Sequence, residues 1–371
     1  MTSAEVEILL VAAVVALACA LPGVFLILRR MAMMSDAISH SILIGIVLGF
    51  FVVRDLSSPF LVLAAAGAGV LTVALVELIE RTGLVKEDAA TGLVFPLLFS
   101  LAVILISRFA ARVHLDTDAV LLGEIAFAPF NRFSVYGVDI GPVALYVMGI
   151  ILGLNVLFIL LLYKELKVAT FDPGLAAAMG FAPGALHYGL MTMVSLTAVG
   201  AFDAVGSILV VALMVAPPAT AYLLTDRLGT MVGLSGLIGV VAAVLGYLAA
   251  RSLDVSIGGM MATAAGVLFG LAVVFAPRRG LISNARRRAR QRWQFAQMML
   301  AIHLFNHEDK PESAEENRVD HLSHHLRWQP DFALRVVGRA QASGWIERQN
   351  GQLQLTPLGR EQAQSQIEAT T

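Results

Sequence analysis

Asp36 and His40 stand four residues apart just before a long apolar run, Ile42 to Val53. On a helix that spacing places a carboxylate and an imidazole on one face, a turn apart. One oxygen and one nitrogen donor suit first-row divalent ions such as Mn(II), Fe(II) or Zn(II), whereas an all-oxygen set points to Ca(II) or Mg(II). The competing reading is structural, with Asp36 as the N-cap acid of a helix and His40 as an interfacial residue. More imidazoles lie near the C-terminus, where His303 and His307 are again four apart and His321, His324 and His325 cluster beyond them. These five either form a regulatory metal site or are solvated surface histidines. Cys19 is the only cysteine, so a disulfide or thiolate metal centre within the chain is not expected.

The elements that must carry Asp36 and His40 are membrane helices. Of the 371 residues, 58% are hydrophobic and 14% charged, and the mean hydropathy is +0.78, too apolar for a water-soluble protein of this size. Runs long enough to cross a bilayer fall at about 6–28, 37–53, 59–80, 90–109, 141–163, 185–202, 204–224, 229–250 and 257–276. The expected fold is therefore an all-α polytopic membrane protein with about nine crossings, or eight if the count is one too high. Glu5 and Glu7 precede the first run, which has no basic flank, so it is expected to be a retained helix and not a cleaved signal. Lys and Arg fall preferentially in alternate loops (Arg29, Arg30, Arg81, Lys86, Lys164, Lys167, Arg227 and Arg278 onward), which predicts an outside N-terminus and an inside C-terminus. Residues 111–131, with His114, Asp116, Asp118 and Glu124, are expected to form a re-entrant or surface segment, because a crossing there would invert every later loop. Gly45/Gly49, Gly149/Gly153, Gly229/Gly233 and Gly266/Gly270 are spaced for close helix packing, and Pro217-Pro218 predicts a kink.

In the fifth inter-crossing loop, Asp172 can cap, Pro173 fits a first helical turn and Gly180 can end a short helix over 175–179. Such a rigid peg either transmits a push from a partner or merely shortens the loop. From Ser283 the chain changes character. An Arg-rich amphipathic helix is followed by an acidic linker, a second helix over 332–343, a hairpin signal at Gln349-Asn350-Gly351-Gln352 and a last helix after Thr356-Pro357. Helix, helix, hairpin is the order of a winged-helix module. Two domains are expected, a transmembrane domain over 1–282 and a small cytoplasmic winged-helix-like domain over 283–371.

Several of these segments together resemble a known family. Arg30-Met31-Ala32-Met33-Met34-Ser35-Asp36-Ala37-Ile38-Ser39-His40-Ser41 is similar to the second-helix motif of the permease subunits of metal-cation ABC importers, which handle zinc, manganese and iron. Glu87-Asp88-Ala89-Ala90-Thr91-Gly92, Leu121-Leu122-Gly123-Glu124, Thr170-Phe171-Asp172-Pro173, Val205-Gly206-Ser207 and Ala216-Pro217-Pro218-Ala219-Thr220 follow in the family's order, so the resemblance covers about 6–276. It implies that Asp36 and His40 bind the transported Mn, Zn or Fe. It also places the ATPase-coupling helix on Phe171, Asp172, Pro173, Leu175, Ala176, Met179 and Gly180. The implied partners are a second permease (identical or paralogous), two ATPase subunits, an extracytoplasmic metal-binding protein and membrane lipid, and the implied location is the bacterial cytoplasmic (inner) membrane. Residues 290–365 resemble the winged-helix part of metal-dependent repressors.

One Asp and one His leave a transition metal short of its usual four to six ligands, but two copies of the pair across a two-fold axis would supply two carboxylates and two imidazoles, held while the bundle alternates between openings. The chain has no GxxxxGK[ST] phosphate loop and no Gly-Lys dipeptide, so it is expected to be a transporter subunit and not an enzyme, with no ATP site of its own. Two rival readings are a gradient-driven secondary transporter or channel, using Glu77, Asp203 and His187 as proton relays, and a membrane-tethered metal-sensing regulator. Residues 283–371 hold twelve Lys and Arg against ten Asp and Glu, so nucleic-acid binding is not expected.

Overall fold

The structure is a computed structural model that describes residues 2–55, 58, 60–109, 125–135, 138–308, 310, 317–319, 321–322, 326–349 and 351–368. The chain forms two compact units, Met1–Gly280 and Leu281–Thr371. Among the described residues, nine helices of the first unit are long and apolar enough to cross a membrane. They are α1 (Ser3–Leu28), α2 (Ala32–Val53), α3 (Phe60–Glu80), α4 (Glu87–Phe109), α5 (Val143–Leu161), α8 (Pro183–Val205), α9 (Ser207–Leu224), α10 (Leu228–Leu253) and α11 (Ile257–Phe275). Each of the nine runs read from the sequence has its helix. Between α5 and α8 lie two short helices, α6 (Tyr163–Phe171) and α7 (Pro173–Ala178).

Helix α1 is the centre of the unit. Val11, Val15, Ala16, Cys19, Ala20, Val24 and Phe25 are fully buried, and α2, α5, α8, α9 and α10 all pack against it. A helix enclosed on several sides is apolar all round. Its closest approach is at Gly23, where an added Cβ would overlap the Met214 carbonyl of α9. Pro218 carries no N–H to bond that carbonyl, so the proline pair opens a place for α1 while α9 continues through it as one helix.

The small-residue pairs do not behave alike. Gly45 and Gly49 seat α2 on α3, since a Cβ at Gly45 would stand 2.5 Å from the Ala64 carbonyl. Gly149, Gly153, Gly233, Gly266 and Gly270 face no described atom within 4 Å, which corrects their expected role in packing within this chain. Gly45→Leu should therefore destabilise the folded protein by about 1–3 kcal/mol through overpacking. Gly266→Leu should be close to neutral, and thermal unfolding in detergent distinguishes the two.

Ion pairs sort the loops into two faces. Glu5 meets Arg251 at 3.1 Å and Glu7 meets Arg132 at 2.9 Å, joining the start of α1 to the end of α10 and to the segment before α5. On the opposite face, Asp226 binds Arg278 at 2.6 Å and Arg279 at 2.7 Å. This is the partition expected from an odd number of crossings. Residues 110–124, including His114, Asp116, Asp118 and Glu124, lie outside the described residues. The chain resumes as a 3-10 turn (Ile125–Phe130) and an antiparallel hairpin, β1 (Arg132–Val135) and β2 (Val138–Pro142), on the face of Glu5 and Glu7. Among the described part of 111–131 there is thus a surface element and no crossing.

The hydrogen bond from Arg278, with the charges of Arg278 and Arg279, holds the Asp226 carboxyl below its ordinary range. A lowered carboxylate pKa favours the folded state above the unfolded value, about 4 for Asp, and this contribution is lost as pH falls through the lowered value. Acid titration of Asp226→Asn should accordingly lack that part of the wild-type stability loss below about pH 4.

In the second unit, α12 (Leu281–His307), α13 (Pro330–Ala342), β3 (Ile346–Gln349), β4 (Gln352–Leu355) and α14 (Pro357–Glu368) follow in the expected order of helix, helix, hairpin and helix. Leu300, Leu304, Val336, Val337, Ile346 and Leu353 form its core. The two strands pair antiparallel, with Gly351 at φ +83 in the turn, a conformation that suits glycine. Arg318 bridges Gln352 and Leu353 N–H donates to the Asn317 carbonyl at 2.9 Å, so the linker adds a partner to the free edge of β4.

Candidate metal site and docking helix

Helix α2 begins at Ala32, earlier than the run near 37 read from the sequence. Its N-cap is Met31, which makes no side-chain cap bond, so the N-cap alternative for Asp36 falls away. Asp36 instead lies about 6 Å and His40 about 12 Å beyond the helix start at 1.5 Å per residue. Ser35, Ser39 and Ser41 are buried on the neighbouring face, with their hydroxyls bonded to backbone carbonyls one turn back, and Thr72 of α3 donates to Ser41 Oγ at 2.7 Å. These bonds satisfy the polar groups of α2 internally and fix how the helix is rotated against α3.

That rotation leaves Asp36 and His40 together on the open side. His40 Nε2 is 3.4 Å from Asp36 Oδ1, and the side chains are 29% and 35% exposed respectively. Further ligands can therefore reach both. The His40 ring is steadied by α4, stacking on Phe95 at 5.7 Å and meeting Phe99 edge-on at 6.0 Å. Among the described residues no group of three or more His, Cys, Asp or Glu side chains is placed to hold a metal ion. Asp36 and His40 thus form a two-donor set with room on one side.

On the Asp226 face, α7 is built as a small peg. Asp172 caps it, its carboxylate accepting from the Leu175 N–H at 2.9 Å, and Pro173 occupies the first turn. The helix spans Pro173–Ala178 with Met179 as C-cap, slightly earlier than the expected 175–179. Gly180, at φ +86, allows the Phe181 N–H to reach back to the Ala176 carbonyl at 3.0 Å. Ala176 is fully buried against Ala169 and Leu186, anchoring the peg from beneath. Phe171, Leu175 and Met179 are 63%, 51% and 56% exposed, a four-residue rhythm of large apolar side chains turned outward.

Beneath the peg lies a polar cluster whose members are scattered along the chain. Arg29 donates through Nε to Thr170 Oγ1 at 3.3 Å and through Nη1 to His187 Nδ1 at 3.1 Å. Because arginine can only donate, Nδ1 accepts, and a neutral His187 carries its proton on Nε2. Nε2 lies 2.6 Å from Glu77 Oε1, and Tyr188 Oη donates to Glu77 Oε2 at 2.8 Å. Burial lowers the Arg29 pKa, although an arginine stays charged. Glu77 and His187, read as candidate proton relays, here contact each other and are hydrogen-bonded by Tyr188 and Arg29.

The tail histidines come together only in part. His303 is buried on α12 with the His307 ring centroid 4.5 Å away, and His307 Nδ1 reaches the His303 carbonyl at 2.8 Å. His324 and His325 lie outside the described residues, and His321 joins no metal-sized group among the described ones.

Nine long apolar helices among the described residues define a multi-pass membrane protein. Residues 3–276 match the ABC 3 transport family, and the chain belongs to that family, as a permease subunit and not an enzyme. It is 47% identical over 364 residues to the zinc transport system membrane protein TroD of Treponema pallidum, an alignment covering 98% of this chain and 99% of that one. It is 48% identical over 285 residues to the manganese transport system membrane protein MntD of Bacillus subtilis, covering 77% of this chain and 96% of that one. Among solved structures, PsaBC from Streptococcus pneumoniae in complex with Fab matches with a TM-score of 0.63 at 30% identity, over 75% of this chain and 94% of that one. The likeness to TroD extends through the second unit.

Proposed function

We propose that this chain is a permease through which an ATP-driven importer carries a divalent transition metal, Mn(II), Zn(II) or Fe(II), across the bacterial cytoplasmic membrane. The observation that carries the reading is the Asp36/His40 pair, which offers two good donors, an open side and no third His, Cys, Asp or Glu ligand among the described residues. A second permease bringing its own pair across a two-fold axis raises the set to four, enough for a transition metal. Relatives named for zinc and manganese transport support this cargo, and oxygen–nitrogen donors without sulfur suit Fe(II) equally.

The rest of the machinery follows from that assignment. Alternating access would expose the four-ligand site to an extracytoplasmic binding protein and then to the cytoplasm. The peg would seat in a separate ATPase subunit through Phe171, Leu175 and Met179, its rigidity converting ATPase movement into helix movement. The Asp226 face is then cytoplasmic, and so is the second unit, whose hairpin and flanking helices we read as a winged-helix-like domain over 283–371 that serves as a protein contact. Uptake of Mn(II) and Zn(II) into proteoliposomes holding this permease, its partner permease, the ATPase and the binding protein tests the reading. ATP without any ion gradient should drive uptake, and uptake that needs a gradient and ignores ATP would transfer the protein to the secondary transporters.

A further inference from the structure

Two parts of the proposed mechanism are separated in sequence by more than a hundred residues yet touch through one side chain. Arg29 sits in the turn between α1 and α2, seven residues before Asp36. Thr170 lies near the end of α6, two residues before the Asp172 cap of the peg. Arg29 bonds Thr170 with one arm of its guanidinium and His187 of α8 with another, and His187 in turn faces Glu77 of α3. A movement of the peg therefore has a polar route to the root of the metal-bearing helix and to the two helices beside it. We infer that Arg29, Thr170, His187 and Glu77 form a mechanical linkage that couples the docking helix to the helix carrying Asp36 and His40. The inference rests on the functional reading above and adds to it which residues carry the coupling.

Three features favour a linkage over a passive brace. First, the His187 and Glu77 side chains are only 16% and 18% exposed, so their interaction is less screened by solvent than a surface pair and a displacement of either is felt by the other. Second, the guanidinium is a rigid planar fork, so turning it to follow Thr170 also turns the arm on His187. Third, Arg29 Nη2 is buried with no hydrogen-bond partner among the described residues. A brace optimised for a single state would spend that donor. A donor held in reserve at a pivot suits a cluster that exchanges partners between two arrangements. Arg29, Thr170, His187 and Glu77 are positioning residues, since none of them touches the metal pair.

The test is the number of metal ions carried per ATP hydrolysed in proteoliposomes containing the complete transporter, with Mn(II) and Zn(II) as probes. Arg29→Lys keeps the charge but loses the fork, and should lower the ratio at least ~10-fold. Thr170→Val removes one hydrogen bond and should lower it about fivefold, while Thr170→Ser, which restores the hydroxyl, should stay near wild type. ATPase copurification and basal ATP hydrolysis should be unchanged in all three. Ratios at the wild-type value in both Arg29→Lys and Thr170→Val would overturn the linkage while leaving the permease reading intact. Loss of assembly in both would also overturn it, by making the cluster a brace. A wild-type complex that moves no divalent metal with ATP would instead overturn the functional reading, and the linkage with it.

Discussion

Asp36→Ala and His40→Ala should each reduce ATP-driven metal uptake at least ~100-fold while the transporter still assembles and hydrolyses ATP. Altering a residue that merely orients a metal ligand costs about 10- to 100-fold in affinity or activity, so removing a ligand outright should cost no less. In a two-fold arrangement a single substitution in a homodimer deletes two of four donors, which sharpens the loss. The fold should tolerate both changes. Each side chain is about one-third exposed, and α2 is held to α3 by Ser41, Thr72 and Gly45 on another face. Radioactive Mn(II) and Zn(II) uptake, measured beside ATPase activity in the same vesicles, separates a lost site from a lost protein. Unchanged uptake in both variants would remove the pair from the pathway.

The second large effect is expected at the peg. Leu175→Asp together with Met179→Asp should cut copurification of the ATPase at least ~10-fold, since burying one leucine-sized side chain at an interface is worth about 1.5–3 kcal/mol. Both side chains are more than half exposed, so the permease alone should keep its thermal stability. Ala176→Asp makes the contrasting control, because Ala176 is fully buried in the small core with Ala169 and Leu186, and a charge there damages the peg itself. Full ATPase retention by the Leu175/Met179 variant would show that the outward apolar face is not the docking surface.

How much of this was legible in the sequence depended on how local each signal is. Crossings are written in twenty-residue apolar runs, and all nine were found. The peg was equally clear, since Asp172, Pro173 and Gly180 each act on their own backbone. The apolar run alone placed the start of α2 about five residues late, because Ser35, Asp36, Ser39 and His40 look polar, although Ser35, Ser39 and Ser41 spend their hydroxyls on the helix's own carbonyls. Glycine spacing misled for the opposite reason. GxxxG says that a close approach is permitted and not which pair makes it, so Gly45 and Gly49 pack on α3 whereas Gly266 and Gly270 meet no described neighbour, and Gly23, outside any such pair, makes a tight approach to α9. The Arg29 cluster joins residues from 29 to 188, and no local pattern announces a contact of that range.

The central position of α1 bears on how the protein is made. Helix α1 leaves the ribosome before the helices that enclose it, and its partners on α9 and α10 are synthesised about two hundred residues later, roughly 10–40 s at ordinary elongation rates. Through that interval Ala16, Cys19 and Phe25 lack those partners, and the Glu5–Arg251 pair that ties the start of α1 to the end of α10 cannot close. Assembly of the bundle is thus set by its late helices, and truncation anywhere before about residue 250 leaves an inserted chain whose core has not yet formed.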